Sequence, residues 1–249
     1  MIRKAEALAG RNTDFLFRGL SDSTLPLATT LERARRDNIP LHEYYLLISR
    51  VKHQVESFTR STWEIPQWPE VKKSLENYDT WSLHRFPDPV TYSYMVRLRH
   101  HGFPSPLLDW TRSPYIAAYF AFRSPAKPKR GKVSIYMFSE RPENYKSSGS
   151  GRPQIRRIGP YVTTHRRHYL QKSDYTMCVT FEGEWRLAKH EDVFSADSTH
   201  QDVLWKFTVP WKERLKVLKL LDAYNLNAFS LFGSEESLME TTAFREFEV

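Results

Sequence analysis

The run from Tyr115 to Phe122 (YIAAYFAF) is apolar on every side, and it directly follows Ser113-Pro114. Serine at the N-cap and proline at the first helical position suit the unpaired groups of a helix start, so a helix is predicted here. A helix that is apolar all round has no face to give to water and must be enclosed by other elements. Any fold of this chain is therefore built around that helix. The residues before it, HHGFPSPLLDWTR (100–112), place the turn formers Gly102, Pro104 and Pro106 beside the polar groups of His101, Asp109, Trp110 and Thr111. Directional polar groups fixed by turns against a buried helix are how a preorganised site reads in sequence. Each residue also has a plainer role: Asp109 and Ser113 as helix caps, His101 as a hydrogen-bonded core histidine.

Other elements follow from periodicity. Leu46, Leu47, Val51, Val55 and Phe58 recur at three- and four-residue steps and predict a helix over 41–59. Asp88-Pro89 opens another, over 91–100, with Tyr92, Met95 and Val96 inward. Residues 132–138, 175–181 and 203–209 read as strands. Residues 212–222 form an amphipathic helix, 225–232 a short apolar segment, and an acidic terminal helix starts near Ser234. SSGSGR (147–152) is the expected mobile loop. Strands and helices mix without regular alternation, which predicts an α+β fold. The 249 residues, 40% hydrophobic, suit one domain over 1–249.

Several function classes are excluded. Neither GxGxxG nor GxxxxGK[ST] occurs, so the two common nucleotide loops are missing. No metal is expected, because no CxxC or HExxH spacing is present. No window is apolar enough to cross a membrane, and the start lacks the apolar core of a secretory signal. The single cysteine, Cys178, permits no internal disulfide, and a cytoplasmic location is expected.

Charge is unevenly placed. The net charge is +8, yet residues 123–168 hold 12 Lys or Arg against two acids, leaving the rest at −2. This stretch reads as a basic insertion. One reading is a solvated loop; the other is a phosphate-tracking surface, with Arg130, Lys132, Arg152, Arg156, Arg157, Arg166 and Arg167 as its cations. Phe17-Arg18-Gly19 ends an apolar stretch, where a guanidinium needs an anion. Arg18 either pairs with an acid or clamps a phosphate or ribose, with Gly19 allowing close approach of a ligand.

Together these two blocks resemble the FRG-domain family, whose name is the tripeptide itself and whose central motif reads close to QHHGxPTRLLDWTxSPxxALYFA. The matching residues are His100, His101, Gly102, Pro104, Leu107, Leu108, Asp109, Trp110, Thr111, Ser113, Pro114, Ala118, Tyr119, Phe120 and Ala121. Gln171 before Tyr175 and the terminal NLNAFSLFGSEESL (225–238) extend the similarity. The chain departs at Leu20, at Arg99 and at Ser105-Pro106, which replaces Thr-Arg; Arg99 or Arg112 is expected to compensate for that arginine.

The family resembles a divergent branch of the ADP-ribosyltransferase superfamily. That implies a split β-sheet core surrounded by helices and NAD as co-substrate, without metal. It also implies three elements: Arg18, the block from Ser113 into the buried helix, and Gln171 at a strand start. By the same resemblance, Trp110 or Tyr119 stacks on nicotinamide, His101 bonds a ribose hydroxyl or the acceptor, Gln171 holds a ribose hydroxyl without acting as a base, and Gly19, Asp109 and Phe120 belong to the cofactor site. The general base falls to Asp174, Glu235 or Glu236. With the basic stretch, the resemblance implies transfer of ADP-ribose to a nucleic acid, RNA ahead of single-stranded DNA. It further implies a toxin or anti-phage setting and a possible acidic antitoxin partner. NAD hydrolysis, protein modification and non-catalytic nucleotide sensing stay open.

Overall fold

The structure is a computed structural model that describes residues 15–34, 36, 38–75, 86–140, 152–194 and 202–248. All but the last residue of the expected mobile loop at 147–152 lies outside these residues.

Seven strands form one open sheet: β1 (Phe15–Leu20), β2 (Leu108–Thr111), β3 (Lys132–Ser139), β4 (Gln154–Arg157), β5 (Ser173–Phe181), β6 (Trp185–Leu187) and β7 (Val203–Pro210). They lie in the order β4-β5-β2-β1-β3-β7, with β6 on β5, and every pairing is antiparallel. Ten α-helices are present among the described residues: α1 (Thr30–Arg33), α2 (Leu41–Thr59), α3 (Trp68–Leu75), α4 (Pro89–His100), α5 (Pro114–Phe122), α6 (Arg166–Leu170), α7 (His190–Phe194), α8 (Arg214–Ala223), α9 (Ala228–Phe232) and α10 (Glu235–Phe247).

The local rules hold where they were used. Ser113 caps α5 by accepting from the Ile116 amide, and Asp88 caps α4 through the amides of Val90 and Thr91. Ser234 closes a reciprocal capping box with Ser237 at the start of α10. Helix α5 lies across the sheet, with only Tyr115 strongly exposed. Its packing explains Gly19: a β-carbon there would stand 1.9 Å from the Ala117 carbonyl oxygen and 2.7 Å from the Ala121 nitrogen. The glycine expected to admit a ligand instead admits a helix.

Three apolar layers surround the sheet. Phe15, Phe17, Val133, Ile135 and Met137 pack on α5 and on Leu218, Leu221 and Leu231 of the C-terminal helices. Leu16, Leu20, Trp110, Phe138 and Cys178 form a second layer, closed by Leu27 and by Val193 of α7. Tyr175, Met177 and Val179 meet α2 and α4 through Tyr44, Ile48, Tyr92 and Met95.

The basic stretch at 123–168 is not an insertion. It supplies β3, which joins β1 to β7, and β4, paired along β5. Several of its cations serve the fold. Arg157 holds the fully buried Asp174 at 2.6 Å, and Arg156 donates to the Phe86 carbonyl at 3.0 Å. These two are therefore removed from the expected phosphate surface.

One irregularity shapes the molecule. β1 registers with β3 over six residues, but with β2 only at Phe17↔Thr111. Beyond that pair β1 and β2 part, and the sheet divides into β4-β5-β2 with β6, and β1-β3-β7.

Candidate functional site

The parting leaves a cleft of about 380 Å³, within the range of small-molecule sites. Arg18 comes from β1, Asp109 and Thr111 from β2, His100 from the end of α4, Phe120 from α5, and Ser173 and Tyr175 from β5. Gln171 borders it too, although it caps α6 rather than starting the strand. Its side-chain amide donates to the Leu231 carbonyl at 3.1 Å, and its own carbonyl accepts from Thr111 at 2.7 Å.

Two guanidiniums converge on Asp109, the only carboxylate lining the cleft among the described residues. Arg18 Nη1 donates across the gap to the Asp109 backbone carbonyl at 2.5 Å and lies 3.9 Å from its carboxylate. Arg99 Nη2 reaches Asp109 Oδ2 at 2.5 Å. Burial lowers Arg18 to about 10; the Asp109 carboxylate opposes that shift, and the charges of Arg99 and Arg33 reinforce it. Arg18 stays cationic at neutral pH in a place where a cation is costly. The pairing is also incomplete. Arg18 Nε, Arg99 Nε and Asp109 Oδ1 are buried with no hydrogen-bond partner among the described residues. Buried polar atoms are nearly always paired, so this knot of charge is under-satisfied, and Arg18 and Asp109 of it line the cleft together with Arg33, a setting suited to a polar, anionic ligand.

Beside them, His100 Nε2 lies 2.9 Å from the Tyr175 hydroxyl. Burial lowers His100 from 6.5 to about 4, so its imidazole is neutral near pH 7. Neither His100 nor Tyr175 was singled out as a site residue from sequence. The signal was available in the phase of α4. Its inward residues Tyr92, Met95 and Val96 continue four residues on to Arg99 and His100, which place both beside the cleft.

Several expected site residues lie elsewhere. His101, one position beyond His100, caps α4 and is exposed. Trp110 does line the cleft, but its indole is buried in the second layer, donating to Thr176 at 2.8 Å and stacking on Phe138. Tyr119 turns to the far side of α5, where its hydroxyl donates to Glu240 at 3.2 Å. Ser113 acts as a cap, its hydroxyl accepting from the Ile116 amide at 3.4 Å. Asp174 is clasped by Arg157 and Arg112 and has no exposed surface, which removes it as a base. Glu235 and Glu236 are exposed on the first turn of α10 and do not line the cleft. Among the expected cations, Arg130, Lys132, Arg152 and Arg166 are exposed, while Arg167 lies over the Phe232 ring at 5.4 Å. Among the described residues, no group of His, Cys, Asp and Glu could hold a metal, and no helix is long and apolar enough to cross a membrane.

Residues 13–130 match the family model described as FRG domain. That stretch runs from β1 through α5 and carries both arms of the cleft, Arg18 and Asp109, with Arg99 and His100. Gln171, Ser173 and Tyr175 lie beyond it. No curated protein and no solved structure matches the chain.

Proposed function

We propose that the cleft binds NAD and that the protein transfers its ADP-ribose to a nucleic acid, in the setting of a toxin or anti-phage effector. The observation that carries the reading is the convergence of Arg18, Arg33 and Asp109 on one cleft where the sheet parts. The guanidiniums of Arg18 and Arg33 suit the diphosphate, and the part-exposed Asp109 carboxylate suits a ribose hydroxyl. The similarity to ADP-ribosyltransferases supports the assignment through the order of Arg18, the helix opened by Ser113, and Gln171. Of these, Arg18 and Gln171 border one cleft. Loss of nicotinamide develops positive charge on the ribose, as in glycoside cleavage, and a fixed carboxylate nearby stabilises that charge. This reading assigns that role to Asp109, which lines the cleft.

The acceptor reading rests on the exposed cations Arg130, Lys132, Arg152 and Arg166. Exposed cations give affinity for a phosphate backbone regardless of sequence. An acidic antitoxin would compete for the same surface.

Incubation with NAD labelled in the adenylate half tests the proposal, with RNA, single-stranded DNA or cell protein as acceptor. Label on RNA with release of nicotinamide is expected. Nicotinamide release with no labelled macromolecule would replace transfer by hydrolysis. Label confined to protein would replace the acceptor. Neither release nor label, with any acceptor, would sink the enzymatic reading.

A further inference from the structure

Behind the cleft, four residues form a chain whose direction can be deduced. His168 Nε2 lies 3.0 Å from the Pro160 carbonyl oxygen, and His168 Nδ1 lies 3.5 Å from the Tyr175 hydroxyl. The same hydroxyl lies 2.9 Å from His100 Nε2. The His168 ring is stacked on the Tyr175 ring, with centroids 5.7 Å apart and planes 11° from parallel, and Tyr92 meets the other ring edge-on. The aromatic rings are therefore held in register, and only protons are free to choose.

A carbonyl oxygen can only accept, so His168 Nε2 carries the hydrogen. A neutral imidazole has one N–H, so His168 Nδ1 is a bare acceptor. The Tyr175 hydroxyl, which Ser173 also approaches as a donor, carries the hydrogen within reach of it, at the long distance of 3.5 Å. Having donated there, Tyr175 is left to accept from His100, whose hydrogen must sit on Nε2. His100 Nδ1 then carries a lone pair. We infer that Pro160, His168 and Tyr175 fix His100 as the Nε2–H tautomer and make its Nδ1 the proton acceptor of the cleft.

The role as acceptor rests on the reading of the cleft as an NAD site; the tautomer does not. In the reaction, an acceptor hydroxyl attacks the ribose carbon, whose bond to nicotinamide breaks with the electron pair leaving on the ring nitrogen. The hydroxyl proton passes to His100 Nδ1, which becomes an imidazolium and returns it to solvent. Tyr175 and His168 are positioning residues, since they act through His100.

Charges around the chain agree with a neutral pair at rest. Burial lowers both histidines; Arg99, His165 and the other histidine of the pair add to this for His100, against Asp109. For His168 the Pro160 carbonyl and Asp174 oppose the shift and Arg112 adds to it. Protonating His168 would reverse the chain: it would donate to Tyr175, which would donate to His100 Nε2. The bare nitrogen of the cleft is thus expected only above the titration of His168.

Long-range proton–nitrogen NMR of the full chain labelled in its histidine rings reads the tautomers without any activity, with His100→Gln and His168→Gln used for assignment. At about pH 8, above the ordinary histidine range, Nε2–H signals are expected for both His100 and His168. Tyr175→Phe should abolish the preference at His100 while keeping it at His168, which still faces Pro160. A predominant Nδ1–H form of His100 in the wild type, or an unchanged preference in Tyr175→Phe, would overturn the chain. If NAD turnover is found, His100→Gln should lower kcat by about 10²–10⁴-fold with little change in KM. Wild-type kcat in that variant would overturn the proton-acceptor role. An Nε2–H tautomer in a protein that does not consume NAD would fault the functional reading alone.

Discussion

Of two cavities lined by described residues, the larger is not the candidate site. A space of about 630 Å³ opens between α5, α8 and α10, lined by Tyr119, Phe120, Leu218, Leu226, Phe244 and Phe247. Its charges are settled among themselves. Arg123 grips Glu240 through two bonds of 2.7 and 2.5 Å, Arg214 pairs with Glu248, and Arg245 holds Asp222 through two bonds of 2.9 Å. The cleft at β1 and β2 is smaller, yet Arg18 and Asp109, which line it, and Arg99, which holds Asp109, each keep an atom unpaired. Volume reports where helices fail to meet; incomplete pairing of buried charge reports where a ligand completes them. Phe120 and Ser21 border both spaces, so the contrast lies across a wall one residue thick.

The contrast can be broken at several points. The largest effect is expected from Gly19→Ala, which drives a methyl group into the backbone of α5 and loosens the wall on both sides. Overpacking of this kind costs about 1–3 kcal/mol or more, and backbone on both sides leaves little room to relax. A strongly lowered midpoint or insoluble protein is expected by circular dichroism; an unchanged midpoint would mean that α5 does not press on β1. Arg18→Ala comes next. It removes a charge-assisted donor, an effect of about 10²–10³ in turnover where such donors serve a transition state. Nicotinamide release is the measurement, and full activity would move the site away from the cleft.

Acid should act on the cleft side more than on the larger cavity. His100, His168 and the fully buried His190 all have folded pKa values below 6.5. The unfolded chain therefore binds more protons in this window, and stability falls as pH drops from 6.5 toward about 4. Thermal midpoints across that range should decline, and His190→Gln should flatten the slope. A midpoint that rose on acidification would contradict the burial of these rings. The smallest effect is expected from Arg123→Ala in the larger cavity. Its pair with Glu240 is more than a third exposed on both sides, so stability should change by under about 1 kcal/mol, with NAD turnover unaltered. Loss of turnover there would reverse the ranking of the two spaces.

Much of this architecture is legible in the sequence, for physical reasons that differ by element. Helices α2, α4, α5 and α10 announce themselves by long periodicity or by caps: Asp88, Ser113 and Ser234 stand where they were read. Strands β3, β5 and β7 are long enough for β-branched and aromatic runs to show. β2 and β4 have only four residues each, too few for alternation, and β2 is hidden within a proline-rich turn motif. Their partners come from distant strands, so pairing rather than composition makes them. At the site, Arg18 and Asp109 were visible because a charge among apolar residues demands explanation. Arg157 and Asp174 invited the opposite error. A run of cations looks like a surface until a buried carboxylate on the neighbouring strand is seen to need one of them, Arg157, beside Arg112 from outside the run.

The parting of β1 from β2 gives the sheet an inner border in addition to its two outer ones. Outer borders of open sheets are exposed to pairing with other chains, and proteins guard them. This inner one is guarded differently. Helix α5 presses on Gly19 from one face, and the Arg18 side chain crosses the gap as a strut to the opposite backbone. Another polypeptide strand is too broad to enter past both. A slender charged molecule that offers Arg18 a better anion can take over the strut, so the same residue that ties the two half-sheets together would also register their separation.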